Sequence, residues 1–384
     1  MSDDLINEQI VGMFCHARFG EHLHAKRVHS ITHGVLGVLH GDDLSVAAVG
    51  RGAARARGTS PKHGIKQVDR LLSNAGLKVW DVFKTWVPAM VGERQELIVA
   101  LDWTEFDRDK QSTLGACLVS SHGRATPLIW ATEKAALLKD GGRTDHETWL
   151  LMRLREVMPQ GRKVTLVADR GFGDQALYTM LLEWGWDFVI RFRGCIEVTN
   201  SKGESRRADE WLHSSGRARM LKGVDVTTRR TPIPAIVCVK AKGMKEPWLL
   251  ATSRSDLPAS GVVKIYGRRF TIEETFRDLK DPRYGFGLSA TRVRSPNRRD
   301  RLLLLFALTH VLLTLLGAAS ERSGYDRMLK ANTSTKRTHL LFNQGRYLYD
   351  AIPNMSDERL EPIMEHFEQV LREHAVVREL FAIL

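Results

Sequence analysis

Four side chains within Lys264–Pro282 have types and spacing that could carry chemistry in this 384-residue chain. Read as a helix that advances about 100° per residue, the segment places Tyr266, Arg269, Glu273 and Lys280 within an arc of roughly 60°. One face would then present a phenol, two cations and one carboxylate, which suits a metal ion and phosphate groups. Pro282 is expected to end the helix. On the neighbouring face, three apolar side chains could pack against a core: Phe270, Phe276 and Leu279.

Two aspartates upstream each close an apolar run that has the composition of a buried strand. The run LIVALDWT carries Asp102, and the run KVTLVADRGFGD carries Asp169 before a glycine-rich turn. A single aspartate at a strand end is usually a turn former. Two such runs with Glu273 downstream instead favour one shared carboxylate site.

Other acids lie close to these three in the sequence, and geometry disfavours them as site residues. On a helix, Glu274 points about 100° away from the face that carries Glu273. Asp174 suits the N-cap of the helix that follows it. The remaining neighbours are Glu105, Asp107 and Asp278.

The spacing Y-x2-R-x3-E-x6-K resembles, at all four positions, the signature of bacterial insertion-sequence DDE transposases of the cut-and-paste kind, the insertion-sequence-four group. The segments LDWT and ADRGF resemble that family's first two conserved blocks. The resemblance implies that Asp102, Asp169 and Glu273 are catalytic residues that bind two Mg²⁺ ions, with Mn²⁺ able to substitute. It also implies that three residues hold DNA phosphates beside the scissile bond: Tyr266, Arg269 and Lys280.

The elements that position the acids have a recognisable order. Strand runs LIVALDWT, GACLVSS and TPLIWAT precede a helix over 144–158, the strand ending at Asp169, a helix over 174–185 and the strand DFVIRFR. This order is that of a ribonuclease H-like core, whose first and fourth strands are neighbours about 4.8 Å apart. We therefore predict an α/β fold with a mixed sheet flanked by helices, in which Asp102 faces Asp169.

A β-rich insertion is predicted between the fifth strand and the helix of Glu273, because the connection is too long for a simple crossover. The segments VDVTTRRTP, AIVCVKAKG and PWLLATS read as its strands. The resemblance aligns PWLLATSRSD with a family block whose tryptophan stacks on a base flipped out of the transposon end. That residue would be Trp248, although a core or edge aromatic fits the sequence equally well.

The chain is divided into four predicted regions. They are a helical, helix-turn-helix-like DNA-binding domain (1–90), the ribonuclease H-like catalytic core (91–193 and 261–325), the β-rich insertion (194–260) and a C-terminal helical region (326–384).

The N-terminal region contains a predicted DNA-reading helix. A segment rich in Ala and Val ends before Gly58, and Ser60-Pro61 supplies an N-cap and a first-turn residue for the next helix. That helix would offer four side chains to a DNA groove: Lys62, Lys66, Gln67 and Arg70. Antiparallel helices with a cationic face also occur without DNA, so a purely structural pair is the alternative. Cys15 and six histidines of this region fit no standard zinc spacing, and we attribute them to a DNA-binding arm rather than to a metal site.

The charge distribution indicates a polyanionic partner. The formal net charge is +12, and residues 201–301 hold 23 Lys and Arg against 11 Asp and Glu, while the remainder holds 34 of each sign. Because the whole surplus surrounds Glu273, it favours a nucleic-acid channel over a merely solvated face.

Cysteine usage and the apolar segments suggest a cytoplasmic protein. The four cysteines lie far apart without a CxxC motif, which indicates reduced thiols, and the acidic start MSDDLINEQI is no signal peptide. Residues 302–319 approach the length of a membrane span, but Thr309 and His310 interrupt them and four arginines precede them. We predict a helix buried in a large core, and a nucleoid-associated cytoplasmic location.

These observations predict a DNA transposase that binds the inverted-repeat ends of its insertion sequence. It would cleave them by two-metal phosphodiester hydrolysis and join the 3′-OH ends to target DNA. The expected partners are double-stranded DNA of the ends and of the target, with a homodimer in the synaptic complex and no membrane. Two alternatives stay open: another two-metal ribonuclease H-like nuclease, and a catalytically silent DNA-binding derivative of a transposase.

Overall fold

A computed structural model provides the fold. It describes residues 7–120, 122–283, 285–331, 333–334 and 339–372. The ends of two predicted regions, residues 1–6 and 373–384, therefore lie outside the described residues.

Five helices form the N-terminal part of the chain. They are α1 (Glu8–Phe19), α2 (Ala25–Leu39), α3 (Val46–Ala56), α4 (Pro61–Ser73) and α5 (Val79–Val91). The side chain of Ser60 accepts a hydrogen bond from the backbone N–H of His63, and Pro61 occupies the first turn of α4. The predicted start of α4 is thus confirmed, and its end at Ser73 agrees as well. Helices α3 and α4 cross closely, since a Cβ added at Gly64 would lie 2.2 Å from the Gly50 carbonyl oxygen.

The strand order predicted for the core is confirmed. Strands β1, β2 and β3 precede α6, β4, α7 and β5, and β1 pairs with β4 in parallel. The bounds are β1 (Glu96–Phe106), β2 (Gln111–Leu118), β3 (Thr126–Lys134), α6 (Gly142–Val157), β4 (Lys163–Ala168), α7 (Gln175–Glu183) and β5 (Asp187–Arg191). The protein has the ribonuclease H-like mixed α/β arrangement expected from its sequence.

Five further strands extend the same sheet beyond β5. They are β6 (Glu197–Thr199), β7 (Ser205–Arg207), β8 (Arg219–Val226), β9 (Thr231–Val239) and β10 (Trp248–Thr252). The sheet order is β3-β2-β1-β4-β5-β10-β9-β8-β6-β7, and β10 pairs with β5 antiparallel. One detail of the prediction was wrong, because VDVTTRRTP is not one strand. It spans the end of β8, a turn in which Thr227 and Arg230 have positive φ, and the start of β9.

The segment Lys264–Pro282 is not one helix, which corrects the sequence prediction. Helix α8 (Ala259–Gly267) ends before helix α9 (Phe270–Lys280) begins. Between them the backbone N–H groups of Arg268 and Arg269 bond to carbonyls three residues back, at 3.1 and 2.9 Å. This tighter hydrogen-bond spacing is typical of a 3₁₀ turn, and it follows a glycine, which has low helix propensity.

A long apolar helix lies at the centre of the molecule. Helix α10 (Pro296–Arg322) packs against α2 and β3, and against α11 (Leu341–Ala351) and α12 (Asp357–Arg372). Within the part of the chain that the structure describes, it is the one helix long and apolar enough to cross a membrane. Its apolar window is wholly buried by the surrounding protein, so the prediction of a core helix is confirmed.

Candidate active site

Two neighbouring parallel strands bring Asp102 and Asp169 together. The pairing of β1 with β4 places Leu101 opposite Ala168, so the next residue on each strand is one of the two aspartates. The Asp169 carboxylate also accepts a hydrogen bond of 2.8 Å from the backbone N–H of Gly171, which caps the turn after β4. Strand pairing therefore fixes both carboxylates at one edge of the core, as predicted.

Helix α9 supplies the third carboxylate, and Arg269 links it to the first. The Arg269 guanidinium lies 3.4 Å from a carboxylate oxygen of Asp102 and also donates to the carboxylate of Glu273. The side chain of Arg269 is only 6% exposed and that of Asp102 16%, so this ion pair is largely shielded from water, whereas Glu273 is 46% exposed and open to solvent. Glu273 and Asp102 thus lie close together in the fold, although 170 residues separate them in the sequence.

The electrostatics of the site favour a bound cation. Burial, together with the neighbouring charges of Asp169 and Glu273, raises the pKa of Asp102 to about 6, while Arg269 opposes the rise. Carboxylate oxygens are the ligands that hard divalent ions such as Mg²⁺ and Mn²⁺ prefer. The raised pKa of Asp102 means that its negative charge is unfavourable next to the other two acids. A bound divalent cation would offset this repulsion, and the three carboxylates would supply its oxygen ligands.

Lys280 lies on the rim of the same cleft as Asp102 and Glu273. Its ammonium group is 3.5 Å from the backbone carbonyl oxygen of Glu105 and 5.9 Å from the centre of the Phe106 ring. The cleft is therefore lined by acids, among them Asp102 and Glu273, and by two cations, Arg277 and Lys280, which could face a phosphate chain.

An aromatic cluster lies behind Arg269. The ring of Tyr266 is 4.9 Å from that of Trp248, and Phe270 is 5.9 Å from Trp248. Tyr266 is 1% exposed, so its ring supports Arg269 from beneath, whereas direct phosphate contact was predicted for it. Trp248 is half-buried at the start of β10. Phe270 is 41% exposed, which corrects the expectation that it packs in the core.

Three of the five competing acids, Glu274, Asp174 and Asp278, form contacts away from the candidate site. Glu274 pairs with Arg277 and with Arg124, on the side away from Glu273, in agreement with its predicted helical angle. Asp174 caps α7 through a 3.1 Å hydrogen bond from the Ala176 backbone N–H, also as expected. Asp278 forms an ion pair with Arg124, and Glu105 forms one with Arg143 although it also lines the cleft of Asp102 and Glu273. Asp107 is exposed just beyond β1.

The four predicted DNA-reading residues occupy α4 and do not line the cleft that contains Asp102 and Glu273. Lys62, Lys66 and Arg70 are exposed. Gln67 is half-buried, and its side-chain oxygen accepts a 2.9 Å hydrogen bond from Arg57. Gln67 and Arg70 border a separate groove formed with α2 and α3.

One acid beside the site was missed in the sequence. Glu147, on α6, accepts a 2.7 Å hydrogen bond from the indole N–H of Trp103, the residue after Asp102. Burial raises the pKa of Glu147 to about 7, with Asp174 and Asp169 adding to the rise. Its position within a helix rich in charged residues gave no signal, because only the tertiary fold turns it towards β1.

Comparison with known proteins agrees with this geometry. Residues 93–312 match the family model described as Transposase DDE domain, which is more than half of the chain and includes all three acids. No curated protein matches the chain. The chain therefore belongs to the family of transposases with a DDE domain.

Proposed function

We propose that this protein is a cut-and-paste DNA transposase of the insertion-sequence-four group that cleaves the ends of its own element. Membership in the DDE family already implies a metal-dependent enzyme that acts on DNA. The observation that carries the finer proposal is the geometry of the acids. Asp102 and Glu273 share the guanidinium of Arg269, and Asp169 occupies the matching position on the neighbouring strand.

Asp102, Asp169 and Glu273 would hold two Mg²⁺ ions, for which Mn²⁺ substitutes. When bound, such ions make the attacking oxygen more acidic and stabilise the charge on the leaving oxygen of a phosphodiester. Asp102 is the proposed shared ligand, because the charges of both other acids act on its carboxylate. The all-oxygen donor set supports magnesium or manganese rather than a softer ion.

Arg269 and Lys280 would position the DNA strand. The guanidinium of Arg269 is 6% exposed and already contacts Asp102 and Glu273, so a phosphate would have to replace one of these carboxylates to bind it. Lys280 would neutralise a phosphate at the rim of the cleft. Tyr266 would act through Arg269, since its buried ring packs against the guanidinium 5.8 Å from the ring centre.

Trp248 is proposed to stack on a base unpaired from the transposon end. Its half-buried ring rests against Tyr266, so one part of the indole is held by the protein while the remainder stays accessible. Base stacking on an aromatic ring is worth about 1–3 kcal/mol. The alternative, a purely structural ring, is supported by the same contacts.

The proposed partners are the two inverted-repeat ends and a target duplex, which a homodimer of the protein would bind. Helix α4 would read the ends with Lys62, Lys66 and Arg70, which are exposed. Gln67 would have two roles: its side-chain oxygen holds Arg57 in place, and its amide would contact a base. We also propose a division of the chain into functional regions. End recognition is assigned to 1–90, the insertion to 194–260 and a helical tail to 326–384. A cytoplasmic, nucleoid-associated location follows from DNA as substrate.

The test is an incubation of the purified protein with a labelled duplex of its own terminal repeat and a supercoiled target, in Mg²⁺ and in EDTA. With Mg²⁺ we expect cleavage that leaves a free 3′-OH at the end of the element, and joining of that 3′-OH to the target DNA. In EDTA we expect neither product. A duplex with a scrambled repeat is the matched control. Cleavage without joining would identify a different nuclease, and binding without cleavage in Mg²⁺ or Mn²⁺ would identify a silent DNA-binding protein.

A further inference from the structure

A second group of potential metal ligands lies in the N-terminal helices, outside the matched DDE domain. His29 and His33 are one helical turn apart on α2, and Glu8 opens α1. The Nε2 atom of His33 is 2.9 Å and the Nδ1 atom of His29 is 3.8 Å from the same carboxylate oxygen of Glu8. The ligand atoms of all three residues lie within 4.8 Å of one another.

These separations suit a small ion held between the three residues. Zinc binds imidazole nitrogens and carboxylate oxygens at about 2.0–2.2 Å, so two of its tetrahedral ligands lie roughly 3.3 Å apart. The observed 2.9 and 3.8 Å straddle that value. Two histidines at positions i and i+4 of one helix are a recurrent zinc-binding pair.

The surroundings of the three residues hold their side chains in place. His33 is 7% exposed, and its ring lies 4.0 Å from that of His29 in an edge-to-face contact. The second carboxylate oxygen of Glu8 accepts a 3.2 Å hydrogen bond from Arg57, which in turn donates to Gln67 of α4. Arg57 adds a positive charge nearby, but it uses the oxygen that does not face the histidines.

We propose that Glu8, His29 and His33 form a binding site for a borderline divalent ion of the Zn²⁺ class. The nitrogen-rich donor set distinguishes it from the all-carboxylate site of Asp102, which suits harder ions. Because His29 is 61% exposed, water can complete the coordination. A bound ion joins α1 to α2, and through Glu8 and Arg57 it is connected to α4.

This metal site was not predicted from the sequence, because its ligands do not follow the linear spacing of a zinc module. Such modules take their Cys and His ligands from contiguous sequence, whereas this group takes its acid from a different helix. The separation of 25 residues between Glu8 and His33 has no counterpart in those patterns.

The experiment uses the full chain with Asp102→Asn and Glu273→Gln, so that ions at the carboxylate site do not contribute. Co²⁺ is titrated and followed by its visible absorption bands, which report coordination geometry, and Zn²⁺ binding is measured by calorimetry. We expect one bound ion and intense bands typical of four-coordinate cobalt. Activity plays no part in this readout, so the result is independent of the proposed function.

The decisive variant adds His29→Ala, because this exposed side chain can be removed with little risk to folding. We expect affinity to fall by about tenfold or more. Glu8→Gln, as a second variant, should weaken binding similarly without removing either imidazole. The matched control is His22→Ala, an exposed histidine in the turn after α1. Equal affinity of the His29→Ala and His22→Ala proteins, or no bound ion in the parent protein, would overturn the proposal.

Discussion

At the residue scale, Arg269 partly balances the negative charge of the candidate active site. Its guanidinium contacts Asp102 and Glu273, two of three acids that repel one another. The raised pKa of Asp102 shows that this single cation does not offset burial and like charges completely. A site of this kind is destabilising for the metal-free fold and is favourable for cation binding, which is the usual trade between stability and function.

The role of Glu273 can be tested against its sequence neighbour. Glu273→Gln keeps the volume of the side chain but removes a charge that faces Asp102, so we expect metal-dependent cleavage of end DNA to fall by at least about a hundredfold. End-DNA binding should persist. Glu274→Gln is the matched control, because that acid pairs with Arg124 and Arg277 instead. Cleavage assays in Mg²⁺ and in Mn²⁺ measure both; equal losses would contradict the assignment.

Asp102→Asn should make the metal-free protein more stable at pH 8. The folded pKa of about 6 lies above the ordinary value of 3.8, so the native state holds this proton more tightly than the unfolded chain does. Stability from that proton is present at low pH and is lost as the pH rises through about 6. Removing the charge should therefore add on the order of 1–3 kcal/mol at pH 8, a range that already includes the opposing contact with Arg269 because the pKa of about 6 is the net result.

Urea denaturation in EDTA at pH 8 and pH 5 measures this effect. The gain from Asp102→Asn should shrink at pH 5, where the wild-type carboxyl group is largely protonated. Asp107→Asn, at an exposed acid just beyond β1, is the control and should change little at either pH. A destabilised Asp102→Asn protein at pH 8 would show that the contact with Arg269 outweighs burial and like-charge repulsion.

At the scale of elements, the sequence predicted the strands well because each is an apolar run bounded by turn residues. β1 and β4 were both located, and parallel pairing then determined which side chains meet; the expectation that Asp102 ends its strand was wrong, because β1 continues to Phe106, whereas Asp169 directly follows β4. The break between α8 and α9 was not predictable from periodicity, since Tyr266, Arg269 and Glu273 still satisfy a helical pattern across it. Phe270 was misjudged for a different reason: it lies on α9 with Leu279, and nine residues at about 100° each place these two side chains on opposite faces of the helix.

Glycine-to-alanine substitutions at Gly267, next to the helix break, and at Gly64, within α4, should have opposite effects on stability. A Cβ atom added at Gly267 would meet no atom of the described residues, so Gly267→Ala should stabilise the protein by about 0.4–1 kcal/mol. Gly64→Ala should destabilise it by about 1–3 kcal/mol, because its Cβ would lie 2.2 Å from the Gly50 carbonyl oxygen. Urea denaturation compares the two. Destabilisation by Gly267→Ala would mean that the turn requires glycine for a reason other than space.

Helix α4 can be tested through the salt dependence of DNA binding. Lys66 and Arg70 are exposed on α4, so Lys66→Ala with Arg70→Ala should lower the slope of log affinity against log salt by about 0.9 per lost phosphate contact. If either residue contacts a base, the preference for end DNA over scrambled DNA should also fall by about 1–3 kcal/mol. Lys84→Ala, at an exposed cation on α5, is the control. An unchanged slope in the double variant would remove α4 from the DNA interface.

At the scale of the whole molecule, the fold connects its basic region directly to the sheet that carries Asp102. Strand β10 pairs with β5, so the basic segment around β8 and β9 belongs to the same ten-stranded sheet as Asp102. The sequence predicted strands here from composition but could not predict that they extend the core sheet, because strand pairing across 194–260 depends on contacts distant in the chain. The location of the charge surplus was visible in the sequence, since it requires only counting.

This arrangement predicts that the basic part of the sheet contributes to DNA affinity in a sequence-independent way. Lys222 lies on β8, Arg229 in the turn after it and Lys242 in the turn before β10, and all three are exposed. Replacing them together by alanine should reduce the salt slope of binding by up to about 2.7, whether the duplex carries the terminal repeat or a scrambled sequence, because phosphate contacts do not read bases. Fluorescence anisotropy over a range of salt concentrations measures this slope for both duplexes.

The control for this variant has the same charge change on another part of the molecule. Lys84, Lys134 and Lys139 are exposed and lie outside residues 201–301, so their replacement by alanine alters the net charge equally. If net charge alone governed binding, the two triple variants would lose affinity to the same extent. We expect the larger loss from the variant in the basic region, because phosphates are bound by cations within about a Debye length, roughly 8–10 Å, and more distant charges are screened. Equal losses would show that the charge surplus of the sheet is not a DNA-binding surface.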